Sequence, residues 1–147
     1  MSEPRVVTVR FDAAPGYEPE YATEGAAGAD LKAALTGPLT IGCGDRVRIP
    51  TGVRCALPPG FEAQVRPRSG LALRSGLTLL NSPGTIDSDY RGEIQVIMIN
   101  LGQEPCIIQP MDRIAQLIVA PVARADFQHG PLSVTERGDG GFGSTGN

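Results

Sequence analysis

The sequence predicts an all-β domain, built as a sandwich, a jelly roll or a barrel. Glycine and proline contribute 19 and 13 of the 147 residues. The longest stretches free of both, Arg5–Ala14 and Met111–Ala120, have ten residues each. A typical globular helix is already about 11–12 residues long, which excludes a helical bundle, a coiled coil and a doubly wound α/β fold. The length fits a single domain.

Apolar residues alternate with polar ones at period two, which predicts strands. Segments with a strand pattern are, in chain order, 7–11, 46–55, 61–66, 93–100 and 113–120. The second is interrupted at Pro50–Gly52. The last two are apolar on both faces, which is typical of strands inside a sandwich or an oligomer. Only Ser69–Arg74 has the pattern of a short helical turn.

Composition and charge exclude several classes of function. The formal charge of −3 argues against binding nucleic acid or anionic membranes, which requires a basic patch. The longest apolar run, Leu117–Ala120, is too short to span a membrane, and no signal peptide is visible. Cys43, Cys55 and Cys106 lack the spacing of a disulfide framework or zinc site, and His129 has no histidine partner. We therefore expect a cytoplasmic protein with reduced thiols.

Segment 66–72, RPRSGLA, is a candidate phosphate-binding turn. A strand is expected to end at Pro67 and a helical turn to begin with Arg68 and Ser69. A helix start offers free backbone N–H groups, to which the serine adds a hydroxyl and the arginine a planar fork. The alternative is an N-cap beside a surface arginine.

Segment 81–94, NSPGTIDSDYRGEI, is predicted to form a hairpin that carries two carboxylates. Asp87 and Asp89 lie two residues apart and would face the same way on an extended strand. Such a pair can hold a metal-bound water or act as a base. Tyr90 offers a flat face to a sugar or a base. The alternative is a polar hairpin tip.

Three further segments carry weaker signals. Segment 27–33, AGADLKA, places one acid among small residues. In segment 112–118, DRIAQLI, Gln116 lies among apolar residues and is expected to have a partner, because an unpaired buried amide costs about 1–3 kcal/mol. The last segment, RGDGGFGSTGN (137–147), has the composition of a disordered tail, but Phe142 framed by glycines argues for a contact.

Taken in this order, the segments resemble the five ordered motifs of the trimeric deoxyuridine triphosphatases (dUTPases). The matching segments are 27–33, 66–72, 81–94, 111–117 and 137–146. The resemblance covers Ala27 to Gly146, nearly the whole chain. One departure is visible, since Met111 stands where the family commonly has glycine before the Asp-Arg pair. That departure bears on the local turn more than on the chemistry.

The resemblance implies a jelly-roll-like β-barrel with one short helical turn and a flexible glycine-rich C-terminal arm. Residues 1–136 would form the domain, and residues 137–147 would form the arm. The family assembles as a homotrimer with sites at subunit interfaces, so the arm would close over a neighbouring subunit's site. The implied reaction is Mg²⁺-dependent hydrolysis of dUTP to dUMP and pyrophosphate by water attack on the α-phosphate.

The resemblance also implies roles for individual residues. Asp87 would be the catalytic residue that activates the water. Phosphate contacts would come from Arg68, Ser69, Gly70, Gln116, Arg137, Ser144 and Thr145. Base and sugar contacts would come from Asn81, Gly84, Thr85, Ile86, Asp87, Tyr90, Gln95 and Phe142. Mg²⁺ would sit on the triphosphate oxygens, with Asp30 reaching it through water.

Two other functions remain open. A deoxycytidine triphosphate deaminase, or a bifunctional deaminase–dUTPase, shares the scaffold and needs an acid–base group beside the base, for which Glu93 is the nearest candidate. A non-catalytic nucleotide-binding or protein-binding module is the second alternative. Ammonia release would identify the deaminase, and a dUTP-sensitive pull-down would reveal a binding role.

Overall fold

Strands make up almost all of the regular structure, as the sequence predicts. The structure, a computed structural model, describes residues 5–146. Residues 1–4 of the predicted domain and residue 147 of the predicted arm lie outside the described residues. The strands within that range are β1 (Arg10–Ala13), β2 (Glu20–Tyr21), β3 (Ala29–Lys32), β4 (Leu39–Ile41), β5 (Arg46–Pro50), β6 (Val53–Ala56), β7 (Phe61–Arg66), β8 (Leu77–Leu79), β9 (Gly84–Ile86), β10 (Gln95–Asn100), β11 (Cys106–Ile108) and β12 (Arg113–Pro121). The one helix described, α1 (Ser69–Ser75), confirms the predicted helical turn.

The strands form two main antiparallel sheets around one core. The larger sheet has the order β2-β3-β12-β7-β9, and the smaller has the order β5-β10-β8. Two further pairs, β1 with β6 and β4 with β11, complete the layers. Side chains from both sheets share one buried cluster, which includes Leu31, Val65, Leu117, Ile49, Val96 and Met98. This arrangement confirms the all-β, jelly-roll-like fold class.

The alternation of apolar and polar residues predicts most strands correctly, but the bounds that it predicts for the first strand are wrong. The strand predicted over 7–11 begins only at Arg10, which pairs with Ala56. If the pairing of β1 with β6 continued to Val7, this part of the strand would lie opposite Pro58 and Pro59, which have no N–H group to donate. The interruption predicted at Pro50–Gly52 is confirmed, since β5 and β6 are separated there.

The predicted hairpin over 81–94 is also wrong. Strand β9 pairs with β7 in the larger sheet, whereas β10 pairs with β5 and β8 in the smaller one. The chain therefore crosses between the sheets, because β9 completes the edge beside β7 while the doubly apolar β10 fills a central position. Asp87 and Asp89 lie in the connecting turn, where Tyr90 N donates to Asp87 O at 3.2 Å, and not on an extended strand.

The turn between β11 and β12 holds Met111 in a backbone conformation that favours glycine. Its φ is 71°, and its N–H donates to Ala33 O at 2.9 Å. The left-handed region costs a residue with a Cβ atom roughly 1–2 kcal/mol. Methionine in the place of the family's usual glycine therefore strains the turn locally, while the turn keeps its hydrogen bonds.

Replacing Met111 with glycine is expected to stabilise the protein by up to about 1 kcal/mol, because relief of strain exceeds the added entropy of the unfolded chain. The measurement is the free energy of unfolding in denaturant. Met111→Ala is the matched control, since alanine keeps the Cβ atom and the strain. A glycine variant no more stable than the alanine variant would contradict the strain.

The three cysteines differ in their exposure to solvent. Cys43 is exposed, Cys106 is half-buried and Cys55 is buried, and all three are free. Burial raises the pKa of the Cys55 thiol, although the nearby positive charge of Arg91 acts in the opposite direction. Within residues 5–146, no helix combines the length and the apolar composition needed to cross a membrane.

Candidate active site

A cleft of about 280 Å³ lies between the end of β9 and the start of β10. It collects seven of the eight residues that the resemblance assigns to base and sugar, namely Asn81, Gly84, Thr85, Ile86, Asp87, Tyr90 and Gln95. The eighth, Phe142, lies elsewhere. Arg48 and Glu93 also line the cleft and add one charge of each sign.

Asp87 and Asn81 stand at opposite ends of β9. Asp87 follows the strand directly and presents an exposed carboxylate to the cleft. Gly84 is buried, and a Cβ atom there would lie 3.3 Å from Asn81 Nδ2 and 3.5 Å from Val65 Cβ. Glycine at this position therefore allows the asparagine amide to lie close against the β9 backbone.

Tyr90 is held over the mouth of the cleft. Its hydroxyl donates to Glu93 O at 2.9 Å. A side chain at Gly92 would collide with the tyrosine ring and hydroxyl, so the ring packs directly on the Gly92 backbone. The Glu93 carboxylate is itself engaged, because its Oε1 accepts a hydrogen bond from Gly52 N at 2.9 Å.

A second polar cluster surrounds Asp30 in the larger sheet. Asp30 is only 4% exposed. Arg68 Nε lies 3.4 Å from its Oδ1, and Arg113 Nη1 lies 3.8 Å from its Oδ2. Arg68 Nη1 also donates to Arg113 O at 3.2 Å. Two guanidinium groups against one carboxylate leave this cluster with a net charge of about +1, which suits an anion.

Two polar atoms in this cluster lack a hydrogen bond. Asp30 Oδ1 and Arg68 Nε are buried without a hydrogen-bond partner, although they lie within ion-pair distance. They face each other 3.4 Å apart and are closed to solvent, so this ion pair holds Arg68 against Asp30.

Gln116 lies beside Asp30 on the outer face of the larger sheet. It is paired in register with Asp30 on one side and Arg66 on the other. Its side chain is only half-buried. Gln116 is therefore not the fully buried, paired amide that its apolar neighbours predict. A Cβ atom on Gly28 would lie 2.9 Å from Gln116 Cβ, so glycine at position 28 leaves room for this side chain.

Ser69 and Gly70 form the first turn of α1, next to this cluster. Arg68 occupies the N-cap position, and no side chain caps the helix. The cap alternative for this segment is therefore not supported, and the Arg68 fork remains directed to Asp30 and Arg113.

The cleft and the Asp30 cluster are far apart within one chain. Asp87 follows Ile86, which pairs with Ala63, whereas Gln116 pairs with Arg66 and Asp30. Strand β3, which carries Asp30, lies three strand spacings from β9, which Asp87 follows. Their positions along the sheet also differ by four residues, measured along β7. The two distances together give a separation of roughly 20 Å between Asp87 and Asp30. A single chain does not bring the predicted catalytic carboxylate next to the groups predicted to bind phosphate.

The arm residues are remote from both places. Arg137 Nε donates to Gly140 O at 2.8 Å, and Ser144 N donates to Gly141 O at 3.0 Å, so these bonds stay within the arm. Phe142 is fully exposed with a φ of 52°. Neither it, Arg137, Ser144 nor Thr145 lines the cleft.

Sequence reasoning assigned no role to Gly28 or Arg113. Both lie in segments already noted, the small-residue run of 27–33 and the Asp-Arg pair at 112–113. The run of small residues around Gly28 is a signal that could have indicated its role. The contact of Arg113 with Asp30 depends on the pairing of β12 with β3, which no local pattern reveals.

Comparison with known proteins identifies the family. The dUTPase family model matches residues 15–146. The deoxyuridine 5′-triphosphate nucleotidohydrolase of Chlamydia pneumoniae is 57% identical over 133 residues, which cover 89% of this chain and 92% of the relative.

Two solved structures share the fold. The dUTPase of Staphylococcus bacteriophage 80α, solved with dUPNHPP, superposes with a TM-score of 0.87 at 22% identity, covering 97% of this chain and 100% of that one. A mutant dUTPase of the S. aureus phage phi11, described as coordinating a structural Mg(II) ion, has a TM-score of 0.75 at 18% identity, covering 84% and 97%. These structures share the fold, and the family model and the bacterial relative lead to one conclusion: the chain belongs to the dUTPase family.

Proposed function

We propose that the protein hydrolyses dUTP to dUMP and pyrophosphate with Mg²⁺, which lowers dUTP and supplies a precursor of dTTP. The observation that carries this proposal is the cleft, where an exposed carboxylate stands beside groups suited to a nucleoside. The name of the bacterial relative supports the same substrate. The free thiols agree with action in the cytoplasm.

Asp87 is the proposed catalytic base. It accepts a proton from a water molecule while the water oxygen attacks the α-phosphorus. The bond from this phosphorus to the oxygen that bridges the α- and β-phosphates breaks, and pyrophosphate leaves with that oxygen. A base must reach the attacking water within hydrogen-bond distance, and the exposed position of Asp87 on the cleft permits this.

The positive cluster around Asp30 is the proposed phosphate site. Arg68 supplies a guanidinium fork, Ser69 a hydroxyl and Gly70 a backbone N–H, while Gln116 supplies an amide. The excess of positive charge supports this assignment. Arg137, Ser144 and Thr145 of the arm would complete the contacts to the terminal phosphates.

The same cluster fits a Mg²⁺ ion that the triphosphate carries. Residues 5–146 contain no group of three or more carboxylate, histidine or cysteine side chains able to hold a metal. Mg²⁺ keeps several waters and binds through one or two carboxylates and substrate phosphates. The Asp30 carboxylate would accept a hydrogen bond from a water on the ion. When bound, the ion neutralises charge on the phosphate oxygens.

Base and sugar selectivity are assigned to the cleft. Asn81 and the backbone of Gly84, Thr85 and Ile86 would read the uracil edge, where the amino group of cytosine would be mismatched. Tyr90 would stack under the deoxyribose and exclude a 2′-hydroxyl, with Gln95 nearby. Phe142 would stack on the uracil, a contact worth about 1–3 kcal/mol.

We propose that the site is completed by other copies of the chain, in a homotrimer. The separation of roughly 20 Å between Asp87 and Asp30 supports this, because both must approach one triphosphate. The segment that leads to the arm supports it as well. Phe127, Leu132 and Val134 are 94–98% exposed there, as expected of an interface in a single chain.

The deaminase alternative finds little support in the position of Glu93. Its Oε1 accepts from Gly52 N, so one carboxylate oxygen is occupied by a structural contact. A deaminase needs this group to exchange protons beside the base.

A substrate panel tests the proposal. Purified protein is incubated with dUTP, dCTP, dTTP or UTP, with Mg²⁺ or with excess chelator, while pyrophosphate and ammonia are followed. We expect pyrophosphate from dUTP alone, lost on chelation, and no ammonia. Ammonia from dCTP would assign the deaminase reaction. No product from a folded trimer would favour the binding module.

A further inference from the structure

The loop that carries Tyr90 is tied to a turn some forty residues earlier in the chain. Residues 51–52 join β5 to β6, and the 91–94 segment leads into β10. Ile94 N donates to Val53 O at 2.8 Å, and Thr51 N donates to Ile94 O at 3.3 Å. These backbone bonds fix one segment against the other at the edge of the smaller sheet.

Thr51 adds a buried side chain to this connection. The residue is 0% exposed, and its Oγ1 donates to Ile94 O while accepting from Val53 N at 3.3 Å. The hydroxyl therefore uses both its donor and an acceptor inside the protein. A buried group satisfied in this way restricts the local geometry strongly.

Glu93 transmits this restraint to Tyr90. Its carboxylate accepts from Gly52 N at 2.9 Å, and its own backbone carbonyl accepts from the Tyr90 hydroxyl at 2.9 Å. The tyrosine ring also packs on Gly92, where a side chain would collide with it. The exposed ring is thus held at its hydroxyl end, by the hydrogen bond to Glu93 O and by the contact with Gly92.

We propose that Thr51 and Glu93 are positioning residues that hold Tyr90 in place and thereby set the discrimination between deoxyribose and ribose. The inference rests on the proposed function, in which Tyr90 excludes a 2′-hydroxyl. A ring excludes one extra oxygen only if it cannot move by about an ångström, and supporting residues provide that rigidity. Neither residue needs to contact the sugar.

The first test compares Thr51→Val with Thr51→Ser. Valine has a similar shape but lacks the hydroxyl, whereas serine keeps both hydrogen bonds. We expect the ratio of kcat/KM for dUTP to that for UTP to fall about tenfold in the valine variant, mainly because UTP is used better. The serine variant should keep a ratio within about twofold of the wild type.

A second pair, Glu93→Ala and Glu93→Gln, covers the case in which Thr51→Val does not fold. Glutamine can still accept from Gly52 N, so its ratio should stay closer to the wild type than that of the alanine variant. An equal loss of kcat/KM for both nucleotides in Thr51→Val and Glu93→Ala would indicate a structural role alone and overturn the inference. The inference would also be overturned if the wild type discriminates between dUTP and UTP and all the variants show the same kcat/KM ratio as the wild type. Wild-type protein that does not cleave dUTP would overturn the inference and the proposed function together.

Discussion

Replacing Asp87 with asparagine is expected to lower kcat for dUTP by a factor of about 10²–10⁴, the range typical of a lost general base. Binding should stay within a few-fold of the wild type, because asparagine has the same shape and the other cleft residues are unchanged. The measurements are kcat under saturating dUTP and the Kd of a non-hydrolysable imido analogue. An unchanged kcat would remove Asp87 from the role of base.

Asp89→Asn is the matched control for this experiment. Asp89 lies two residues away in the same exposed turn and carries the same charge, but it does not line the cleft. We expect its kcat to stay within about twofold of the wild type, since a surface charge alone contributes little. If both variants lost activity equally, the local negative charge of the turn would explain the effect, and the specific proton transfer would not.

Local patterns predicted the strands well because side-chain alternation is a local property. Strands β5, β6 and β7 follow directly from alternating residues and from the Pro50–Gly52 interruption. Pairing is not local, and this explains the wrong hairpin. The sequence of 81–94 resembles a hairpin, yet β9 finds its partner in β7, about twenty residues earlier.

The candidate site shows the same division. Motifs supplied the residues of the cleft, and the structure places seven of them together. They did not reveal the separation from Asp30, because that depends on the register of β3, β12, β7 and β9. In the sequence, Thr51 is only one residue of the alternating segment 46–55. Its buried hydroxyl has its partner at Ile94, which no local pattern connects with it.

Truncating the chain after Glu136 is expected to lower kcat/KM for dUTP by at least about 100-fold, because the proposed contacts of Arg137 with phosphate and of Phe142 with uracil are lost together. Assembly should survive, since the exposed apolar segment with Phe127, Leu132 and Val134 remains in the truncated chain. The measurements are steady-state kinetics and the mass of the oligomer in solution. Full activity of the truncated protein would contradict the role of the arm in closing the site.

Mixing the truncated protein with Asp87→Asn decides whether the arm acts on its own chain or on another. If it acts on its own chain, every chain in the mixture carries one defect and no site recovers. If it is donated between chains, some sites in hybrid trimers combine an intact Asp87 from the truncated chain with an intact arm from the other. At equal amounts, about a quarter of the sites should then be active, which is measured as recovered dUTP hydrolysis after subunit exchange.

The position of Phe142 and Arg137 away from the cleft of their own chain leads us to expect this recovery. No recovery after demonstrated exchange would argue for an arm that folds back onto its own subunit.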